Sequence, residues 1–295
     1  MASGPPAPPA RAISSTPKMS WWSRLFAPGP ARPGESFGAP GQGRSLAISV
    51  VTSIGLLLLW HIVTWLEWLP PLFLPSPATV WNKAVEVVTE GFGGATLWVH
   101  TWTSMQRVFG AFFLALITAI PIGVLMGVNR FVRGIFDPPL EFYRPIPPLA
   151  YLPLMVIWFG IGEETKIIVI FLAIFAPMAL NARAGVRSVS IEQIHAAYSM
   201  GATRAQVIWH VVVKGALPEI LTGMRIGIGF GWTTLVAAEL VAAQAGLGAM
   251  IQQASDFLGT DVVFLGIVAI GVIAYVFDLL MRILERWLVP WKGQV

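Results

Sequence analysis

Six stretches of mostly apolar residues, at approximately 46–66, 106–128, 140–160, 166–185, 218–242 and 262–284, constrain this 295-residue chain more than any other feature. A helix needs about 20 apolar residues to cross a bilayer core, because each residue advances its axis by about 1.5 Å. Backbone groups at that depth find no water, so a spanning segment must satisfy them within its own helix. Only 12% of the residues are charged, against about 25% in a soluble domain. These observations predict an all-α integral membrane protein with about six transmembrane helices.

Lysine and arginine set the expected orientation, because basic residues collect on the cytoplasmic side. With both termini in the cytoplasm, all but four of the 19 basic residues fall in inside segments. The exceptions are Lys83 and Lys166 outside, and Arg107 and Arg225 near span ends. Residues 186–217 are then cytoplasmic, and 243–261 form an outer segment with a short surface helix at Ala249–Leu258. The first 45 residues hold 9 Pro and 6 Gly, too little apolar material for a core, and lack the short apolar segment of a cleavable signal. They read as a disordered cytoplasmic arm, which leaves 46–295 as the membrane domain. The third stretch carries Pro145, Pro147, Pro148 and Pro153, so its start must be broken or extended. Residues 142–153 are either a pathway-lining segment, where irregular backbone is tolerated, or a cytoplasmic loop.

Between the fourth and fifth stretches lies a polar segment, Ser190-Ile-Glu-Gln-Ile-His-Ala-Ala-Tyr-Ser-Met-Gly-Ala-Thr-Arg-Ala-Gln206. Ser190 with Gln193, and Thr203 with Gln206, have the spacing of capping boxes. Gly201 suits a left-handed helix end. The segment reads as a helix of about ten residues, sharply bent from its successor and facing the cytoplasm. Such an element between spans is a docking element. Cysteine is absent and no phosphate-binding Gly-x-x-x-x-Gly-Lys-Ser/Thr run occurs, so thiolate chemistry is excluded and any ATP chemistry belongs to another chain.

His195-Ala196-Ala197, Gly201-Ala202, Leu217-Pro218 and Gly223-Met224-Arg225 resemble the cytoplasmic loop of binding-protein-dependent ABC importer permeases. That loop reads Glu-Ala-Ala, three residues, then Gly. Here His195 stands where Glu is commonest, and Val213-Lys214 replaces the usual Leu-Pro. The run Tyr143-Arg-Pro-Ile-Pro-Pro-Leu-Ala-Tyr-Leu-Pro-Leu-Met-Val-Ile-Trp-Phe-Gly-Ile-Gly-Glu163 is similar to the branch importing nitrate, bicarbonate, taurine and alkanesulfonates. Leu217–Arg225, Gly231–Leu240, Thr260–Val263 and Pro290-Trp291 are similar to taurine permeases. The resemblance implies the type I ABC importer permease fold, in the bacterial inner membrane. It implies a second copy of the permease with the pathway between the two copies, a periplasmic substrate-binding protein, and two ABC ATPase subunits that carry ATP and Mg. It further implies that Ser190, His195, Ala196, Ala197, Gly201, Ala202 and Thr203 couple this chain to the ATPase. No cofactor is expected on this chain, and no nucleic-acid partner.

For the pathway itself, the candidates are Arg107, Tyr151, Trp158, Trp232 and Glu239. A carboxylate inside an apolar run is costly and marks function or a structural hydrogen bond. Arg107 either attracts an anion or snorkels at the outer start of its span, and Arg225 is expected as an inner interfacial anchor. The three aromatics either line a passage or pack and anchor at the interface. Asp278 and Arg282 have the spacing of a helical ion pair. Gly227, Gly229 and Gly231 suit either close helix contact or a flexible point. Other readings stay open: a permease for other alkanesulfonates or for nitrate, or an ion-coupled secondary transporter, which would need carboxylates or repeats near the midplane. A membrane enzyme would need a nucleophile, metal or acid–base set that the sequence lacks.

Overall fold

A computed structural model describes residues 46–290 of the chain, so the expected arm at 1–45 lies outside the described residues, as does Trp291. The first helix, α1 (Leu46–Trp65), stands by itself as a 20-residue helix of about 30 Å, long enough to span. Its residues Ile48–Trp65 have a mean hydropathy of 1.8. Near its end the Thr64 hydroxyl donates back to the carbonyls of Trp60 and His61.

The remaining helices, from residue 69 on, form a second unit. These are α2 (Pro77–Thr89), α3 (Leu97–Val128), α4 (Arg130–Tyr143), α5 (Pro148–Phe159), α6 (Glu163–Ser188), α7 (Ile191–Ser199) and α8 (Arg204–Gln206). A π-helical segment (Val207–Val212) then runs into α9 (Val213–Ala242), followed by α10 (Leu247–Asp256) and α11 (Thr260–Leu288). Together with α1, helices α3, α6, α9 with its preceding turns, and α11 are long and apolar enough to cross a membrane, five in all among the described residues.

The third expected span, 140–160, is not one helix. Proline has no N–H to continue the ladder, and the run Pro145-Ile-Pro-Pro148 breaks the chain between α4 and α5. Helix α5 has 12 residues, about 18 Å, too short to cross alone. The second span is also longer than expected, since α3 begins at Leu97 and runs 32 residues.

Helix α6 packs intimately against both α3 and α9, and half of its most apolar stretch is buried. Small residues allow this approach, as close packing without a hydrophobic driving force requires. A β-carbon on Gly123 or Gly127 of α3 would collide with Ala182 or Val186 of α6. On α9, one on Gly227 would come within 2.9 Å of Met178, and one on Gly231 within 2.8 Å of Ile174. Gly229 between them has open space. Gly227 and Gly231 therefore serve close contact, and the contact is within the chain, whereas Gly229 does not. Phe112 of α3 meets Phe277 of α11 edge-on at 5.9 Å, joining α11 to the core of Ile170, Ile174, Met178 and Leu235.

Candidate functional site

Between the spans α6 and α9, local capping builds the polar element the sequence announced. Ser190 Oγ accepts from the Gln193 N–H at 3.3 Å and starts α7. This is half a box, because no reciprocal bond from Gln193 is formed. Thr203 and Gln206 make the full reciprocal box, at 3.4 and 2.8 Å. Gly201 lies at φ +84°, in the left-handed region where glycine carries no penalty. Ala197 is buried against the body while His195, Ala196, Gly201 and Thr203 are exposed and Ala202 is half-buried. Ile191, Tyr198, Met200 and Trp209 are large apolar side chains left uncovered here, Met200 at 83% exposure. Apolar clusters of this kind mark sites of protein or membrane contact.

Directly after the box, the backbone runs six residues in π geometry, Val207–Val212. A π segment is a helix carrying one residue too many per turn, and it commonly marks a functional point. It forms the junction between α7 and the long helix α9.

At the far end of α9, four elements converge on a buried cluster of charges. Arg107, expected at a span end, lies well inside α3 and is 3% exposed. Its Nη1 donates to Glu239 Oε1 of α9 at 2.6 Å and to the carbonyl of Ala245 at 2.7 Å. Its Nε and Nη2 donate as a fork to Glu163 at the start of α6, at 2.6 and 2.7 Å. Lys166 Nζ donates to the same Glu163 at 2.8 Å. Two cations and two anions balance. Arg107, Lys166 and Glu239 are buried, where pairing is needed most, while the Glu163 side chain is 55% exposed at the rim of the cluster. The planar guanidinium suits this bidentate arrangement.

Glu239 has a further task. Helix α10 begins at Gly246, which has no side chain to cap it, and the first N–H groups of a helix need acceptors. They find them on other elements. The Gly248 N–H donates to Glu239 Oε2 at 2.8 Å, and the Leu247 N–H to Ser104 Oγ at 2.8 Å. Ser104 in turn donates to Glu239 at 2.7 Å. His100 donates through Nε2 to the Phe92 carbonyl at 2.9 Å, which leaves Nδ1 to accept from the Gly246 N–H at 3.1 Å. Gly246 sits at φ +137°, and a β-carbon there would lie 2.4 Å from the Glu239 carboxylate, so no side chain fits.

Arg107 and Glu239, both expected near a pathway, are thus held by one another and by backbone groups. Ser104, Glu163, Lys166 and His100 complete the cluster without having been singled out for it. The signal was the pair of opposite charges inside apolar runs at the same predicted depth. Tyr151, Trp158 and Trp232 lie apart among the described residues. Tyr151 borders a cavity beside the α4–α5 break, Trp158 is 61% exposed on α5, and Trp232 is buried beside a separate gap between α9 and α11. Arg225 is no free anchor, since it pairs with Asp278 of α11 at 2.8 Å, and Asp278 also pairs with Arg282 at 2.7 Å as the spacing predicts. The expected outer helix, α10, buries Leu247, Met250 and Ala254.

Residues 119–290 match the family model described as binding-protein-dependent transport system inner membrane component. The chain is 54% identical over 253 residues to the taurine transport system permease protein TauC of Escherichia coli, covering 85% of this chain and 92% of that protein. It is 33% identical to the putative aliphatic sulfonates transport permease protein SsuC of Bacillus subtilis, over 81% of this chain and 85% of that one. The riboflavin transport system permease protein RibX of Chloroflexus aurantiacus is 34% identical, over 82% and 89% respectively. Among solved structures, the inward-facing MetNI methionine ABC transporter superposes with a TM-score of 0.54 at 21% identity, covering 65% of this chain and 97% of that chain. That likeness concerns the fold.

Proposed function

This chain belongs to the binding-protein-dependent transport system inner membrane components, multi-pass permease subunits, and from that membership we propose that it carries taurine across the membrane. The observation that supports taurine is the 54% identity to TauC across nearly the whole of both chains, against 33% to the aliphatic sulfonate permease and 34% to the riboflavin permease. In this reading two copies of the chain enclose the pathway, a periplasmic protein delivers taurine to the outer face, and both termini are cytoplasmic. ATP and Mg are bound by two separate ATPase chains that grip α7. The sequence supports that division, since it holds no phosphate-binding loop.

The residues of this chain then have separable tasks. Uncovered Ile191, Tyr198 and Met200 give the ATPase its foothold, and Ala196 with Gly201 keeps the contact close. Displacement of α7 passes through the π segment into α9. At the far end the Arg107 cluster ties α9 to α3, α6 and α10, so a push on α7 turns these helices as a body. Without that tie the helices would slip past one another and the motion would be lost. The states favoured with and without ATP must differ in contacts at α7 for any such shift.

The test is ATP hydrolysis by the reconstituted permease and ATPase, with binding protein loaded with taurine, a longer alkanesulfonate or nitrate. Stimulation by the taurine-loaded form alone is expected. Equal stimulation by all three would discard taurine while keeping the importer. For docking, Gly201→Asp puts charge and bulk into a position with open space around it. It should leave the spans folded and abolish co-purification of the ATPase, and undiminished co-purification would overturn the role of α7.

A further inference from the structure

Beside the break between α4 and α5 lies a cavity of about 460 Å³, within the size range of small-molecule sites, roughly 300–1,000 Å³. The turn Arg144–Pro147 forms one wall, the second half of α6 another, and Ile226 and Phe230 of α9 a third. Its polar groups are of two kinds. Arg144, an exposed residue at the mouth, lines it with a guanidinium that has no side-chain partner among the described residues. The neighbouring cation Arg183 pairs through Nη1 with Asp137, and with Glu141 at 3.7 Å, while its buried Nε has no hydrogen-bond partner among the described residues. The remaining polar groups are acceptors or aromatic faces. Pro177 has no N–H to give the carbonyl of Ala173, and Ala173 lines the cavity. Asn181 spends its amide N–H on the Pro177 carbonyl at 2.7 Å, which leaves its Oδ1 as an acceptor. Tyr143 and Tyr151 add ring faces that attract cations, and the Glu141 carboxylate stands at the rim.

We propose that this cavity is a binding subsite for a small aminoalkanesulfonate zwitterion. Arg144 takes the sulfonate, and the ammonium turns toward Asn181, the Ala173 carbonyl and the two tyrosines. A bare anion such as nitrate uses only the Arg144 end. An alkanesulfonate without the amine leaves the acceptors unpaired, and a site built to hydrogen-bond a missing group discriminates against its absence. The subsite rests on the taurine reading for its ligand, and on the cavity for its place.

The chain has no cysteine, so one introduced thiol is its single labelling site, read on the permease band after the subunits are separated. In the permease–ATPase complex in lipid nanodiscs, Ala173→Cys is labelled with a methanethiosulfonate reagent while taurine, ethanesulfonate or nitrate is added. Ala184→Cys, on the exposed rim of the same cavity, serves if the first variant assembles poorly. Taurine should slow labelling several-fold and ethanesulfonate less, and Arg144→Gln should remove the protection. Uptake of taurine into proteoliposomes by the unsubstituted complex, with its binding protein, is measured alongside. Uptake without protection, or protection that survives Arg144→Gln, overturns the subsite and leaves the substrate reading standing. Arg144-dependent protection without uptake overturns taurine as the transported solute and supports the subsite for aminosulfonates as a class.

Discussion

The two ends of α9 are built on opposite plans. Around its C-terminal end, Arg107, Glu239, Glu163 and Lys166 are drawn from three helices, and with Ser104 and His100 they satisfy charges and the free N–H groups of α10 alike. Before its N-terminal end, α7 is nine residues long and closes on its own caps. Its Ile191 and Tyr198 are uncovered, and a π segment separates it from α9. Rigidity at the charged end comes from partners far apart in the chain. Order at the docking end comes from neighbours three residues away. A subunit moved from one side needs both: a part that a partner can seize and a part that does not give.

This contrast makes the charged end costly to disturb and the docking end cheap, in stability terms. Arg107→Ala leaves Glu239 buried without its cation, and breaking such a pair costs about 3–5 kcal/mol. Thermal unfolding of the purified permease in detergent should show the largest loss for this variant. The double replacement Arg107→Met with Glu239→Met should recover a good part of it. A loss no greater than that of an exposed substitution would break the comparison. Next comes Gly246→Ala, which adds a β-carbon against Glu239 at a left-handed φ. A strained backbone of this kind costs about 1–3 kcal/mol, before any displacement of Glu239, and the same melts measure it.

At the docking end, Thr203→Ala removes a capping box worth about 1 kcal/mol. Hydrogen exchange should quicken locally at Arg204–Gln206 and leave α9 protected, and a spread of the effect through α9 would deny the ends their independence. Smallest of all is His195→Glu, an exposed substitution expected within about 0.5 kcal/mol on stability. Its effect should emerge only in ATPase affinity, read by pull-down of the complex.

The docking end was legible in the sequence because its determinants are local. Ser190, Gly201, Thr203 and Gln206 announce α7 and its bend at fixed spacings; the structure differs in leaving the first box half formed and in passing into a π segment after Gln206. The charged end was partly legible. Arg107 and Glu239 stood out as charges in apolar runs, but they lie 132 residues apart, and nothing in a single sequence states that two such residues meet. His100 gave no signal at all, because its role depends on a loop near Phe92 and a turn at Gly246. The third span misled through composition. Residues 140–160 are apolar enough to count as a span, while their prolines divide them into the end of α4 and a short α5. Gly227, Gly229 and Gly231 pointed either to close helix contact or to a flexible point; Gly227 and Gly231 lie against α6, and Gly123 and Gly127, which hold α3 to α6, gave no such signal.

The buried cluster also imposes a timetable on the making of the protein. Arg107 leaves the ribosome 56 residues before Glu163 and 132 before Glu239. At about 5–20 residues per second, Glu239 follows Arg107 by about 7–26 s. An unmatched arginine deep in a nascent span carries an insertion penalty of about 2.5–3.5 kcal/mol. Until Glu163 and then Glu239 are delivered, Arg107 has neither carboxylate to pair with, and a long basic side chain without a partner lowers that penalty by reaching for the interface. The order of the codons becomes an order of neutralisation, and the last carboxylate to be synthesised is the one that shuts the lock.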